Sequence, residues 1–255
     1  MARAEVGSGA GVAGALCCAG VLAAYGNAYT AVAWRLQGQG LAYTVLSLAG
    51  PLGLLAGVIA WHRWREGRPL AELGLHARRW RANLGWGLLG GLALAVPPLL
   101  WFLLPALTGG PSVQVAEVRE ATPQALLLRL LLFTPVLVAL VEEVAFRGLL
   151  LGRLRRTWPG RVWPALVLSS AAFALWHVTV NLLTLGETNV TSAGLAPFPL
   201  AVLGGLLGVF VAGLVFGALS LHTGGLGAPW LAHWLVDALM LLALAATGVS
   251  GGAAG

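Results

Sequence analysis

Long apolar stretches separated by short polar segments make up most of this chain. Seven stretches have about 20 residues or more, the length that a helix needs to cross a hydrocarbon core of ~30 Å. None of them alternates apolar and polar residues as a short membrane barrel strand does. The pattern therefore predicts an all-α, polytopic membrane helical bundle of about seven transmembrane helices, at roughly 9–34, 41–61, 84–107, 125–151, 162–185, 198–221 and 228–247.

The composition also indicates a membrane protein and speaks against a nucleic-acid partner. Hydrophobic residues make up 58% of the 255-residue chain and charged residues 9%, and the mean hydropathy is +0.85. All 15 basic residues are arginines, a usage that points to a GC-rich, bacterial source. The net charge of +6 would suit a nucleic-acid binder, but the arginines lie mainly in short segments between apolar stretches. We therefore predict a single integral membrane domain over residues 1–255 that has the lipid bilayer as its surroundings.

The distribution of the arginines predicts the orientation of the chain. Eleven of them fall on one side of the predicted membrane and two on the other. They are Arg3, Arg63, Arg65, Arg68, Arg78, Arg79, Arg81, Arg153, Arg155, Arg156 and Arg161 on the first side, and Arg35 and Arg119 on the second. Because positively charged loops stay in the cytoplasm, we expect a cytoplasmic N-terminus, a C-terminus outside and a location in the bacterial cytoplasmic membrane.

Two segments carry further interpretations. Residues 63–83, which combine apolar positions with several arginines, predict an interfacial helix that lies on the cytoplasmic leaflet. The first apolar stretch also fits a cleaved signal peptide, because Arg3 precedes it. An uncleaved first helix is the interpretation that we prefer, and the predicted topology of the remaining chain is the same in both cases.

Three charged residues lie close together in the second half of the fourth apolar stretch. Glu142, Glu143 and Arg147 lie where each ionised side chain costs at least ~2.5–3.5 kcal/mol in a bilayer. Glu143 and Arg147 are spaced i,i+4, so they can form an ion pair along one helix face. This ion pair does not account for Glu142, because Glu142 points about 100° away from Glu143 on an ideal helix. The remaining carboxylate therefore indicates a function.

Two histidines and an aspartate are predicted to approach Glu142. His177 lies about as far beyond the polar turn after the fourth stretch as Glu142 lies before it, so both reach a similar depth in an antiparallel hairpin. His233 lies on the same side of the membrane, and Asp237 is one turn deeper. Each has a structural interpretation alone, as a packing histidine or as a mutually satisfied His233–Asp237 pair. Together, a carboxylate and two imidazoles can activate water and stabilise an oxyanion.

The same residues form three motifs along the chain. In order they are Glu142-Glu143-x-x-x-Arg147, Phe173-x-x-x-His177 and His233-x-x-x-Asp237. Jointly they resemble the signature motifs of the CPBP family of intramembrane proteases, which are related to the CAAX prenyl endopeptidases and to the bacteriocin-immunity (Abi) proteins. The resemblance covers about residues 70–245. It implies an intramembrane endopeptidase that acts on membrane-associated protein or peptide substrates, and we expect its cavity to open to the cytoplasm.

The resemblance also implies a role for each residue. Glu142 would be the general base for the attacking water, and His177 would help to hold that water. His233 and Asp237 would line the oxyanion side of the site. The residues implied to support the site structurally are Glu143, Arg147 and Phe173. The family mostly has Asn at the position of Asp237, and an ionised Asp cannot donate to an oxyanion, so Asp237 must be protonated or act elsewhere.

Three alternatives stay open at the level of the sequence. Glu142, His177, His233 and Asp237 could instead bind Zn²⁺, which takes His and carboxylate ligands. No cofactor is favoured, because no His-Glu-x-x-His motif is present and the two histidines come from different helices. A proton-coupled transporter could use the same residues as a relay, although the chain shows no internal repeat. A catalytically silent immunity or scaffold protein could share the fold.

Overall fold

Eight helices account for most of the structure. The computed structural model describes residues 7–76, 79–110, 113–115, 118 and 120–250. The helices are α1 (Gly7–Arg35), α2 (Leu41–Ala60, extended by a π-helical turn at Trp61–Arg65), α3 (Trp80–Leu107), α4 (Pro123–Thr157), α5 (Val162–Trp176), α6 (Val178–Gly186), α7 (Phe198–Thr223) and α8 (Gly227–Ser250). Within the described ranges, the only β-type pairing is one isolated bridge between Val115 and Thr188.

The lengths of these helices confirm the predicted polytopic membrane bundle. Six of them, α1 to α4, α7 and α8, are long and apolar enough to cross a membrane. The pair α5 and α6 is bent by 41° and forms a seventh span if the two helices cross together. A helical bundle suits the bilayer because each helix pairs its backbone polar groups internally, without water.

The segment before α3 differs from the prediction of an interfacial helix over residues 63–83. Its described residues between the π-helical turn at Trp61–Arg65 and α3 form one 3₁₀ turn, Leu70–Leu73, between Gly67 and Gly74, which have φ of 65° and 79°. Pro69 directly precedes this turn and has no backbone N–H to donate. These positions interrupt a continuous helix, so the apolar–basic pattern was misleading here. Arg78, together with Arg3 and Arg119 of the orientation argument, lies outside the described residues.

The middle of α4 is the core of the bundle. Every residue from Val141 to Leu151 is buried, whereas other spans carry exposed apolar side chains such as Leu203, which is 62% exposed. The 3₁₀ turn covers this core from one end, and a Cβ on Gly148 would lie 2.9 Å from Leu73 O. Glu142, Glu143 and Arg147 therefore lie in a part of the described chain that is fully enclosed by protein.

Helix α8 is held closely against α3 and α4. A Cβ on Gly91 of α3 would lie 3.0 Å from a backbone carbonyl oxygen of α8, so a small residue permits this approach. Two indoles of α8 donate to backbone carbonyls of α4, Trp230 Nε1 to Pro135 O at 2.7 Å and Trp234 Nε1 to Leu130 O at 2.8 Å. These contacts fix the turn of α8 that carries the second predicted histidine.

Candidate active site

Four of the predicted site residues lie together beside the middle of α4. Glu142 Oε2 lies 3.7 Å from His177 Nε2 and 3.8 Å from His233 Nε2. Asp237 Oδ2 lies 3.7 Å from His233 Nε2. Glu142 comes from α4, His177 from the bend between α5 and α6, and the other two residues from successive turns of α8. The structure thus brings together side chains that are far apart in the sequence.

The hydrogen-bond partners of the two imidazoles determine what faces Glu142. His177 Nδ1 lies 2.8 Å from Phe173 O, and His233 Nδ1 lies 2.9 Å from Glu143 Oε1. A carbonyl and a carboxylate only accept, so both Nδ1 atoms donate. In a neutral imidazole the Nε2 atom is then an acceptor, and both Nε2 atoms face Glu142.

This arrangement gathers acceptors that need a shared donor. Glu142 Oε2 is buried and has no hydrogen-bond partner among the described residues. Its separations of 3.7 and 3.8 Å from the Nε2 atoms are too long for direct hydrogen bonds. They are within reach of one bridging water, which can donate one hydrogen to Glu142 Oε2 and the other to an imidazole Nε2, and leave its own oxygen free. The geometry is therefore suited to holding a water against a carboxylate.

A buried ion pair lies directly behind His233. Glu143 Oε1 accepts from Arg147 Nη1 at 3.0 Å and from His233 Nδ1. The Arg147 guanidinium also lies over the rings of Phe173 and Phe216, at 4.2 and 5.1 Å from their centroids. The i,i+4 contact expected from the sequence is present, and it does more than neutralise charge. It fixes the tautomer and the orientation of His233 through Glu143.

Two residues that the sequence reasoning did not single out also touch the site. Trp176 Nε1 donates to Glu142 Oε1 at 3.2 Å, which orients the carboxylate with Oε2 toward the imidazoles. The ring of Phe216 stacks on His233 with centroids 4.9 Å apart. Trp176 stands inside the Phe173–His177 motif, so its position carried a signal. Phe216 lies in an apolar helix in which nothing distinguishes it from its neighbours.

Exposure differs among the four converging residues. The side chain of Asp237 is 36% exposed and that of His177 is 19% exposed, whereas Glu142 and His233 are below 10%. The cluster is therefore more open on the side of Asp237 and His177. A separate cavity of about 130 Å³ reaches Arg147 from the side of the 3₁₀ turn, and its described lining includes none of these four residues. The direction in which the site itself opens stays a prediction.

The donor atoms of the site stand wider apart than the ligands of a zinc site. A tetrahedral Zn²⁺ with bonds of ~2.0–2.1 Å places its ligand atoms roughly 3.4 Å apart. The observed separations around Glu142 Oε2 and His233 Nε2 are wider, at 3.7–3.8 Å. In the described part of the chain, no group of three or more His, Cys, Asp or Glu side chains meets the geometry of a metal site. Zinc binding would need these side chains to move closer together.

Part of the chain, including the site, is similar to a known family. Residues 124–239 match a family described as Rce1-like, type II CAAX prenyl endopeptidase Rce1-like. The matched range contains all three motifs, from Glu142 to Asp237, and it confirms the resemblance to the CPBP and CAAX proteases. Comparison with curated proteins and with solved structures gives no significant match.

Proposed function

From the match of residues 124–239 to the type II CAAX prenyl endopeptidases, we propose that this protein is an intramembrane endopeptidase with a glutamate-activated water. The family indicates a CAAX-type intramembrane peptidase in general. One observation carries the finer proposal: Glu142 Oε2 is buried, lacks a partner among the described residues, and faces two imidazole Nε2 atoms at 3.7 and 3.8 Å. The proposed substrates are membrane-associated proteins or peptides.

The proposed reaction assigns one proton transfer to each step. Glu142 accepts a proton from a water that His177 also holds, and the water oxygen attacks the scissile carbonyl carbon. The carbonyl electrons move to its oxygen, and a hydrogen bond from His233 stabilises that oxyanion. When the C–N bond breaks, Glu142 returns the proton to the leaving amine. The net reaction adds one water across one peptide bond.

Asp237 has a role in this proposal that differs from donation to the oxyanion. It lies 3.7 Å from His233 Nε2, on the same ring whose Nδ1 donates to Glu143. Two carboxylates therefore flank one imidazole and compensate the positive charge that His233 carries when it acts as a donor. This role requires an ionised Asp237, so the substitution of Asp for the usual family Asn is compatible with catalysis.

The experiment compares purified wild type with Glu142→Gln, which keeps the volume of the side chain and removes the base. Both are reconstituted in liposomes and incubated with a library of membrane-inserted peptides, and the products are read by mass spectrometry. We expect cleavage by the wild type and a loss of about 10²–10⁴-fold in Glu142→Gln. Equal cleavage by both proteins, or no cleavage by either, would contradict the proposed function.

Metal dependence is measured in the same assay. We propose that activity is retained after exhaustive chelation, because the donor atoms stand wider apart than a zinc site requires. Activity that vanishes on chelation and returns with one equivalent of zinc would instead make Glu142, His177, His233 and Asp237 the ligand set. The bound metal should be quantified in parallel.

The orientation in the bilayer is a further part of the proposal. We place the segment 153–161 in the cytoplasm and the segment 186–196 outside, because arginines are concentrated on the first side. Reporter fusions in each segment test this topology. A protease-accessible cytoplasmic 186–196 segment would reverse it, together with the expectation of a site that opens inward.

A further inference from the structure

The bend between α5 and α6 falls at the histidine that faces Glu142. His177 has φ −91° and ψ 5°, in the sparsely populated bridge region where active-site residues are often found. Its backbone N–H donates to Ala174 O at 3.0 Å, whereas the regular α-helical acceptor would be Phe173 O. Phe173 O instead accepts from Nδ1 of the same histidine at 2.8 Å. The break in the helix therefore supplies the acceptor that orients the imidazole.

A side chain of α1 lies inside this break. Asn27 Oδ1 accepts from the backbone N–H of Thr179 at 2.7 Å, and Asn27 Nδ2 donates to Leu175 O at 2.7 Å. In an uninterrupted α-helix, Thr179 N–H would donate to Leu175 O itself. The carboxamide thus stands between the donor and the acceptor of one helical hydrogen bond. Such an insertion is an established cause of sharp helix bends.

The carboxamide is itself fixed on α1. Asn27 Nδ2 also donates to Ala23 O, one turn earlier, at 2.8 Å. Next to it, Gly26 lies against the ring of Trp176 so closely that an added Cβ would overlap the indole. The ring of Tyr25 also stacks on Trp176, with centroids 5.9 Å apart. One turn of α1 therefore packs against both the helix break and the residue that donates to Glu142.

We propose that Asn27 is a positioning residue for the reaction: its carboxamide holds open the helix break that directs His177 at Glu142. The proposal rests on the proposed function, in which His177 holds the attacking water. Asn27 lies outside residues 124–239, so the first helix, which the family match does not include, contributes to the geometry of the site.

The kinetic test compares Asn27→Leu with a matched control, Asn181→Leu. Asn181 Nδ2 makes one hydrogen bond from α6 to α7, to Val202 O at 3.1 Å, and does not enter the break. We expect Asn27→Leu to lower kcat by about tenfold or more while KM stays within about twofold, because His177 is displaced and not the substrate surface. The control should leave both constants within about twofold. An unchanged kcat in Asn27→Leu would overturn the proposal.

Non-additivity distinguishes positioning from general support of the fold. In a His177→Ala background, Asn27→Leu should cause no further loss of kcat, because the residue that it positions is already absent. A further loss equal to that in the wild-type background would overturn the proposal. If Asn27→Leu yields too little folded protein, Asn27→Asp keeps the acceptor for Thr179 N–H and should give a kcat between those of wild type and His177→Ala.

A readout without activity separates this proposal from the proposed function. Hydrogen exchange, followed by mass spectrometry in the inactive Glu142→Gln background, reports on the short segment that contains the Thr179 N–H. The peptide that spans residues 175–180, which contains neither substituted residue, should exchange faster in Asn27→Leu and at the wild-type rate in Asn181→Leu. Equal exchange rates in the Asn27→Leu and Asn181→Leu variants would contradict the insertion of the carboxamide into the helix, even if peptidase activity is established. If the Asn27→Leu variant exchanges faster but the wild-type protein has no peptidase activity, the inserted carboxamide is supported and only its role in catalysis is contradicted.

Discussion

Replacing Arg147 by methionine is expected to destabilise the protein by about 3–5 kcal/mol, the cost of breaking a buried ion pair by removing one partner. Arg147 and Glu143 pair at 3.0 Å, and their side chains are 1% and 0% exposed. Glu143 keeps one partner, His233 Nδ1 at 2.9 Å, so the lower half of this range is expected. Methionine retains an unbranched apolar stem between Phe173 and Phe216, so the loss reports mainly on charge.

The assay is reversible unfolding in mixed micelles, followed by circular dichroism. The double variant Glu143→Gln/Arg147→Met removes both charges and should recover most of the lost stability, because no unpaired buried carboxylate is left. Arg161→Met in an exposed loop serves as the control and should stay within about 0.5 kcal/mol of wild type. A loss below about 1 kcal/mol for Arg147→Met, or a double variant no more stable than the single one, would refute the reasoning.

Two further changes test the surroundings of the site. Trp176→Phe removes the 3.2 Å hydrogen bond to Glu142 Oε1 but keeps an aromatic ring in place. Because a hydrogen bond to a charged group contributes ~1.5–3 kcal/mol, kcat should fall by about 10-fold or more. An unchanged kcat would show that the indole does not orient the carboxylate. Gly148→Ala places a Cβ 2.9 Å from Leu73 O and should cost about 1–3 kcal/mol in a thermal unfolding scan. The control Gly53→Ala, whose Cβ would meet no atom within 4 Å beyond its own stretch of helix, should be neutral or stabilising. Equal melting temperatures for the two variants would contradict the close contact at Gly148.

Much of the architecture was predictable because it depends on local pattern. The length of each apolar stretch determines whether a helix can span the bilayer. The i,i+4 spacing of Glu143 and Arg147 places both residues on the same helix face. Glu142 and His177 are about equally many residues from the turn that joins their helices, and the rise per residue of a helix is constant. The sequence therefore predicted that the two residues lie at a similar depth. The segment 63–83 was predicted wrongly because Pro69 and two glycines with positive φ override its amphipathic pattern.

The tertiary structure decided which atoms meet. Sequence spacing did not show that Glu143, through His233 Nδ1, orients one imidazole, while Trp176 orients the carboxylate of Glu142. Nor did it show that Asn27, 150 positions before His177, enters the break at that histidine. An asparagine in an apolar helix has many potential partners, and its choice depends on how α1 packs against α5. Helices form from interactions within a few residues, whereas the acceptor of a buried polar side chain is fixed only when separate helices pack together.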